Sequence, residues 1–311
     1  MRYAPRSAAL LLVTGLTGTP IAMPAPKAQA QDQIQDQITS QQAATPLTLR
    51  LDVPAGRTID QVLTMGMQMQ QEAQGMQMNV NMDMRMELTQ AFEAVNSDGN
   101  LVSNLTIDRV KMEMDAPVIG EATLDTENPD LAIGTPLENQ VRPLMSLTQR
   151  PIRRVLSPLG EVLSTDLPGK AAASDQATQM ELLAMIRNIT PTFPENPLNI
   201  GDTWTQQIDS TLPGNAAGST QSNLTWKLTS VDGSAANFAL SGSDEVRATP
   251  QDGTTVQMSI ASNGTATIDA ATGVVQTLTL TQNNTGTVSM NNGEVTMPMT
   301  SETTIKLESS R

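Results

Sequence analysis

The chain has 311 residues, with 18 lysines and arginines against 32 aspartates and glutamates, a formal net charge of −14, and neither cysteine nor histidine. Disulfides, thiolate or imidazole metal sites and catalysis by Cys/His or Ser/His pairs are therefore excluded. The acidic balance makes nucleic acid an unsuitable partner.

The chain begins with basic Arg2 and Arg6, then an apolar run near Ala8 to Leu16, then small residues and prolines ending in Ala28-Gln29-Ala30. That is the layout of a secretory signal peptide over residues 1–30, with cleavage expected near Ala30. The apolar run is broken by Thr14, Gly15, Thr17, Gly18 and Pro20, well short of the roughly 20 residues that a membrane span needs. The expected mature chain is exported, to the periplasm or the exterior, with no transmembrane span. Loss of Arg2, Arg6 and Lys27 with the leader takes the net charge from −14 to −17. Residues 31–46 are mostly glutamine and small polar residues with little to bury, and read as a flexible tail.

A β-rich domain is expected over 47–311. In Leu63, Met65, Met67 and Met69, and again in Met76, Met78, Val80, Met82, Met84, Met86 and Leu88, every second residue is apolar, with Gln, Asn, Asp and Arg between them. A strand keeps that pattern on one face and a helix cannot. The parity flips across Glu72-Ala73-Gln74-Gly75, so the two runs form a long hairpin. A second hairpin turns at Asn96 to Asn100 and returns through Leu105, Ile107, Val110, Met112 and Met114, with a bulge expected near Arg109.

The middle of the chain changes period. Leu137, Val141, Leu144 and Met145, and then Ala177, Met180, Leu183, Ala184 and Arg187, recur every three or four residues and predict two helices. Between them Pro158-Leu159-Gly160 separates short strands at 152–156 and 161–164. Residues 190–197, with Pro191, Pro194 and Pro197, are a candidate hinge. Strands then follow at 204–208, 224–228, 238–240, 256–260, 266–268 and 274–280, punctuated by Asp232-Gly233, Asp252-Gly253, Asn263-Gly264 and Thr272-Gly273. A last hairpin reverses at Asn291-Asn292-Gly293 and carries Met297 and Met299. The fold class is mainly β: a large curved antiparallel sheet or half-barrel built from long hairpins, its concave face covered by two helices.

The nineteen methionines are the unusual feature. Thioethers spaced M-x-M on a strand could gather Cu(I), but no histidine or cysteine assists, and methionine is an ordinary filler of irregular apolar space. A flexible, polarisable wall also suits a cavity for lipids or assorted apolar groups. The candidate ligand-facing residues are Met65, Met67, Met69, Met76, Met78, Met82, Met84 and Met86. No metal site, cofactor or catalytic residue is nominated. Carboxylates are the acid/base groups on offer, but Glu87, Glu93, Asp108, Glu113 and Asp115 all read as solvent-facing or turn-proximal, and no glycosidase-like pair emerges. The Asp-Gly and Asn-Gly steps lack the alternating acidic ligands of a calcium loop, and turn chemistry accounts for them.

The stretch PLNIGDTW at 197–204, the stretch IDAATGVV at 268–275, the segment VLSPLGEV at 155–162 and the Met/Gln hairpin together resemble an uncharacterised family of exported bacterial β-rich proteins. Long hairpins with interposed helices are also similar in architecture to the half-barrels of Lol-type periplasmic lipoprotein carriers. Neither resemblance carries a functional residue onto this chain. The expected function is a non-catalytic exported binding protein for an apolar or lipid-like ligand. The alternative is a structural or protein-interaction module of the cell envelope with a solid core.

Overall fold

A computed structural model describes residues 45–73, 76–117, 120–167, 182–184, 186–187, 190–211, 219–248, 255–290 and 295–310. The expected leader, nearly all of the Gln-rich tail and the turns at 252–253 and 291–293 lie outside these residues.

The alternating hairpin forms as its pattern requires. Strand β1 (Thr58–Ala73) pairs antiparallel with the 20-residue β2 (Met76–Val95), setting Leu63 opposite Met86, Met65 opposite Met84 and Met67 opposite Met82. Directly opposed residues point to the same side, so the register gathers the apolar set on one face. Strand β3 (Leu101–Ala116) extends that face by setting Val110, Met112 and Met114 beside Met86, Met84 and Met82. Asp108 is the extra residue between the Glu87–Arg109 and Leu88–Ile107 pairs, which is the expected bulge.

Strand β4 (Gly120–Asp125), absent from the sequence-based expectation, pairs with the outer end of β3. Then come a short 3-10 turn (Pro129–Ala132), helix α1 (Glu138–Leu147), and strands β5 (Ile152–Leu156) and β6 (Val162–Asp166). Of the second expected helix, residues 182–184 and 186–187 are described, and they are helical. The second half is a meander of β7 (Thr203–Thr211), β8 (Ser219–Asp232), β9 (Ala235–Ala248), β10 (Thr255–Asp269), β11 (Val275–Met290) and β12 (Val295–Ser309). The two halves join where β12 pairs with β1, giving one antiparallel sheet in the order β6-β5-β3-β2-β1-β12-β11-β10-β9-β8-β7.

Two sequence readings are corrected here. Asn263-Gly264 is not a turn: it lies inside β10, paired with Thr281 and Leu280, so 256–260 and 266–268 are one strand. Glycine is there because a Cβ at Gly264 would press on the carbonyl oxygen of Thr279 in the next strand; Gly242 and Gly286 face the carbonyls of Asn223 and Gln257 in the same way. Such close approach marks strongly coiled sheet. Met145, expected on the inner face of its helix, is exposed, while Leu144 and Leu147 point inward.

The sheet is bent into an open half-barrel. One core cluster contains Leu124 and Ile152 from one flank and Trp226 and Phe238 from the other, with Leu144, Leu182 and Ile186 from the helical segments. Both flanks are tied to one short segment. Phe193 N–H donates to Leu159 O in the β5–β6 turn (2.7 Å), while Trp204 Nε1 on edge strand β7 donates to Thr192 O and Gln206 Nε2 to Thr190 O, both 3.0 Å. Residues 190–193 span at most about 14 Å, so the edges meet across them at this end of the barrel. Trp204 stacks on Trp226 with ring centres 5.3 Å apart, and Phe238 meets both edge-on.

On the β3–β4 flank, Asp125 accepts from Arg109 Nε (3.0 Å) and Nη2 (2.5 Å), and Glu127 pairs with Arg109 Nη1 at 2.8 Å. The Arg109 hydrogen bonds hold the Asp125 carboxyl below its ordinary pKa.

Two tests follow from this geometry. Gly264→Ala lowers stability by about 1–3 kcal/mol in urea titration, because backbone must move to admit the methyl group. Gly66→Ala is milder, since its nearest obstacle is the mobile carboxylate of Asp83. Because the folded-state pKa of Asp125 is lowered, its stabilisation is complete above the unfolded carboxylate range and is lost as pH falls below about 4. The stability gap between wild type and Asp125→Asn is therefore constant near neutral pH and closes in acid.

Candidate functional site

Burial divides the methionines along the strands. At the level of the helices, Leu63 and Met86 are fully buried and Met84 is 6 % exposed, packed with Leu88, Leu105 and Leu124. Met65, Met112 and Met114 are partly buried against that core. Further toward the β1–β2 hairpin tip, Met67, Met69, Met78, Val80 and Met82 are half-buried. Met76 enters through its backbone alone, paired with Ala73. The outer-face residues between them, Gln68, Gln70, Asn79, Asn81 and Asp83, are exposed.

The eight expected residues thus fall into two groups. Met84 and Met86 belong to the solid core. Met65 lies at the boundary, and Met67, Met69, Met78 and Met82 form a half-buried apolar trough beyond it. Beside these methionines the face carries a polar band, which sequence reasoning missed, and beyond it turns apolar again at Ile260, Met258, Met299 and the buried Met297. Thr303 stands opposite Met67 and Ser301 opposite Met69 on β12, and the same face continues through Gln282 and Asn284 on β11 and Ser262 on β10. Asn284 Nδ2 donates to Ser301 Oγ at 3.0 Å and Gln282 Nε2 to Ser262 Oγ at 3.4 Å. The signal was available: Leu278 and Leu280 give way to Gln282 and Asn284 at unchanged parity.

The expected turn chemistry is present. Asn96 Oδ1 accepts from the N–H groups of Asp98 and Asn100, and Asp269 Oδ1 from that of Ala271. Among the described residues no three Asp or Glu side chains are grouped to hold a metal. Asp60 and Asp108 share the Thr89 hydroxyl on the outer face. No helix among the described residues is long and apolar enough to cross a membrane.

An open groove of about 450 Å³ is lined by Met65 and Met84 together with Asp83, Arg85, Lys111 and Lys306, and a smaller cavity lies elsewhere. A cavity of about 40 Å³ lies at the opposite end of the barrel, between Phe92, Arg154, Leu156 and the 190–193 segment. Arg154 is 5 % exposed, and burial pushes its guanidinium down to about 10. The sequence reading did not single out Arg154. Its only sequence-level signal is an alternation, Ile152, Arg154, Leu156, that places a charge on the apolar side of β5.

The comparisons with known proteins bear on the fold. Residues 169–275 match a family of unknown function, DUF6263. The stretches at 197–204 and 268–275 fall within this match, whereas 155–162 and the methionine hairpin precede it. No curated protein sequence matches. Among solved structures, lipovitellin, in a study of lipid–protein interactions, is similar with a TM-score of 0.53 at 11% identity over 83% of this chain. The chain spans 25% of the length of that lipovitellin chain. An outer membrane channel from Pseudomonas putida F1 aligns over 86% of this chain and 98% of its own at 8% identity, with a TM-score of 0.27, too low to speak for the fold. The likeness to lipovitellin is one of fold, and neither it nor the DUF6263 family indicates a catalytic activity.

The division of the methionines is open to direct measurement. Under limited peroxide, peptide mass spectrometry should find Met67, Met69, Met78 and Met82 oxidised several-fold faster than Met84 and Met86. Equal rates along the strand would mean that the helices do not seal the lower face.

Proposed function

We propose that the chain is a non-catalytic, exported binding protein that takes an apolar or lipid-like ligand on the half-buried methionine trough. Met67, Met69, Met78 and Met82 supply the contact, Met65 marks its lower end, and Met84 and Met86 form the floor. The observation that carries this reading is the run of half-buried methionines, Met67, Met69, Met78 and Met82, that continues the apolar face beyond the fully buried Leu63 and Met86. Methionine suits the task because its unbranched thioether repacks around varied apolar shapes at low cost. The polar band at Ser262, Gln282 and Ser301 adds hydrogen-bonding groups beside the apolar ones, a combination that fits an amphipathic molecule. The fold shared with lipovitellin, whose printed description concerns lipid–protein interactions, is in keeping with this reading.

A second reading is a protein-interaction module of the envelope. The small size of the cavity beside Arg154 favours it, because about 40 Å³ cannot take a lipid-like molecule.

Fluorescence titration with the neutral apolar dye 1-N-phenylnaphthylamine, together with native mass spectrometry and solvent extraction of the purified chain, separates the two. The carrier reading expects dye binding that falls at least tenfold in Met67→Asp and Met82→Asp at unchanged urea midpoints. Absence of dye binding and of any co-purifying apolar molecule, with capture of a defined envelope protein that the same substitutions abolish, would establish the interaction module instead.

A further inference from the structure

Arg154 sits in β5 opposite Ser103 of β3, on the inner face of the sheet. Its guanidinium makes no hydrogen bond or ion pair among the described residues, and Nε is completely enclosed. Even with its proton affinity lowered by burial, the group remains charged at neutral pH. A buried charge without a counter-charge costs several kcal/mol, and arginine cannot readily escape by losing its proton.

The surroundings do not supply the compensation. The side-chain oxygens of Gln61, Gln90 and Thr190 line the same cavity, yet none accepts a hydrogen bond from the guanidinium. The acidic groups nearest along the chain, Glu161 and Asp166, are exposed, and Asp166 lies 3.8 Å from Arg153 instead.

The cavity beside Arg154 is a built space. Its wall is made where residues 50–52, 158–160, 191–193 and 272–274 converge, tied by Leu51 N to Pro158 O, Asp52 N to Thr272 O and Phe193 N to Leu159 O. Gly160 and Gly273 both have positive φ, and a Cβ at either would drive into the backbone of Pro191 or Arg50. The segments at 155–162 and 268–275, singled out in the sequence, thus meet in space around one arginine.

We propose that this cavity is an anion site, in which Arg154 holds one small monovalent anion of formate or chloride size. About 40 Å³ gives room for two or three water-sized groups. That admits a bare carboxylate or a halide and excludes an acyl chain. A planar guanidinium is suited to carboxylate geometry. The site is separate from the methionine trough, and its occupancy does not depend on an apolar ligand.

Thermal unfolding of the full chain at pH 7 tests the assignment, with sodium formate or sodium chloride replacing sodium gluconate at constant ionic strength. Gluconate serves as control because it is too large for the cavity. A saturable rise in Tm with formate and with chloride is expected. Arg154→Met, similar in length but neutral, should weaken the apparent formate affinity at least tenfold. A Tm that is the same in all three salts overturns the proposal, as does a variant that keeps the full response. Should Arg154→Met fail to fold, 35Cl NMR of the wild type decides: line broadening reversed by formate supports the site, and no broadening sinks it.

Discussion

Eleven strands lying side by side at about 4.8 Å would make a flat sheet nearly 50 Å wide, with its outer members far beyond contact. In this chain those outer members share a core, and the hydrogen bonds of residues 190–193 show how. One extended tetrapeptide accepts from β7 on one side and donates to the β5–β6 turn on the other. Everything else depends on that closure. It turns one face of the sheet into an interior and gives the helical segments something to fill.

The coiling that closure demands is visible in the strands themselves. Gly242, Gly264 and Gly286 stand on β9, β10 and β11 where a side chain would collide with the neighbouring strand's carbonyl. The β1–β3 flank has no equivalent inner-face glycine and carries flexible methionine there instead. The two flanks thus meet curvature by different means, one by removing side chains and the other by using one that deforms. Toward the hairpin tips the inner face of β10 to β12 carries a polar band at Ser262, Gln282, Asn284 and Ser301, followed by Ile260, Met258, Met299 and Met297.

The half-barrel has two ends of opposite character. The open end offers apolar surface edged with neutral hydrogen-bonding groups. The closed end holds a desolvated positive charge in a chamber of a few atoms. The fully buried layer of Leu63, Met86, Leu88 and Leu105 lies between them, so a ligand at one end has no path of contact to the other. The outer surface of the long strands carries exposed Gln, Asn and acidic residues.

Much of this was legible from residue order. Strict alternation through Leu63–Met69 and Met78–Leu88 determined that these are strands, which residues share a face and where the hairpin reverses, because side-chain direction in a strand depends on parity alone. The bulge at Asp108 and the helix at Glu138–Leu147 follow from local period in the same way. Asn263-Gly264 misled because a glycine that permits close approach of two strands looks, in sequence, the same as one that permits a turn. Which half of the methionine face is buried, how the two edges meet through residues 190–193, and that Arg154 lies between segments more than a hundred residues apart were decided only by tertiary structure. Cover and closure are contacts between distant parts of the chain, and periodicity carries no information about what lies across a barrel.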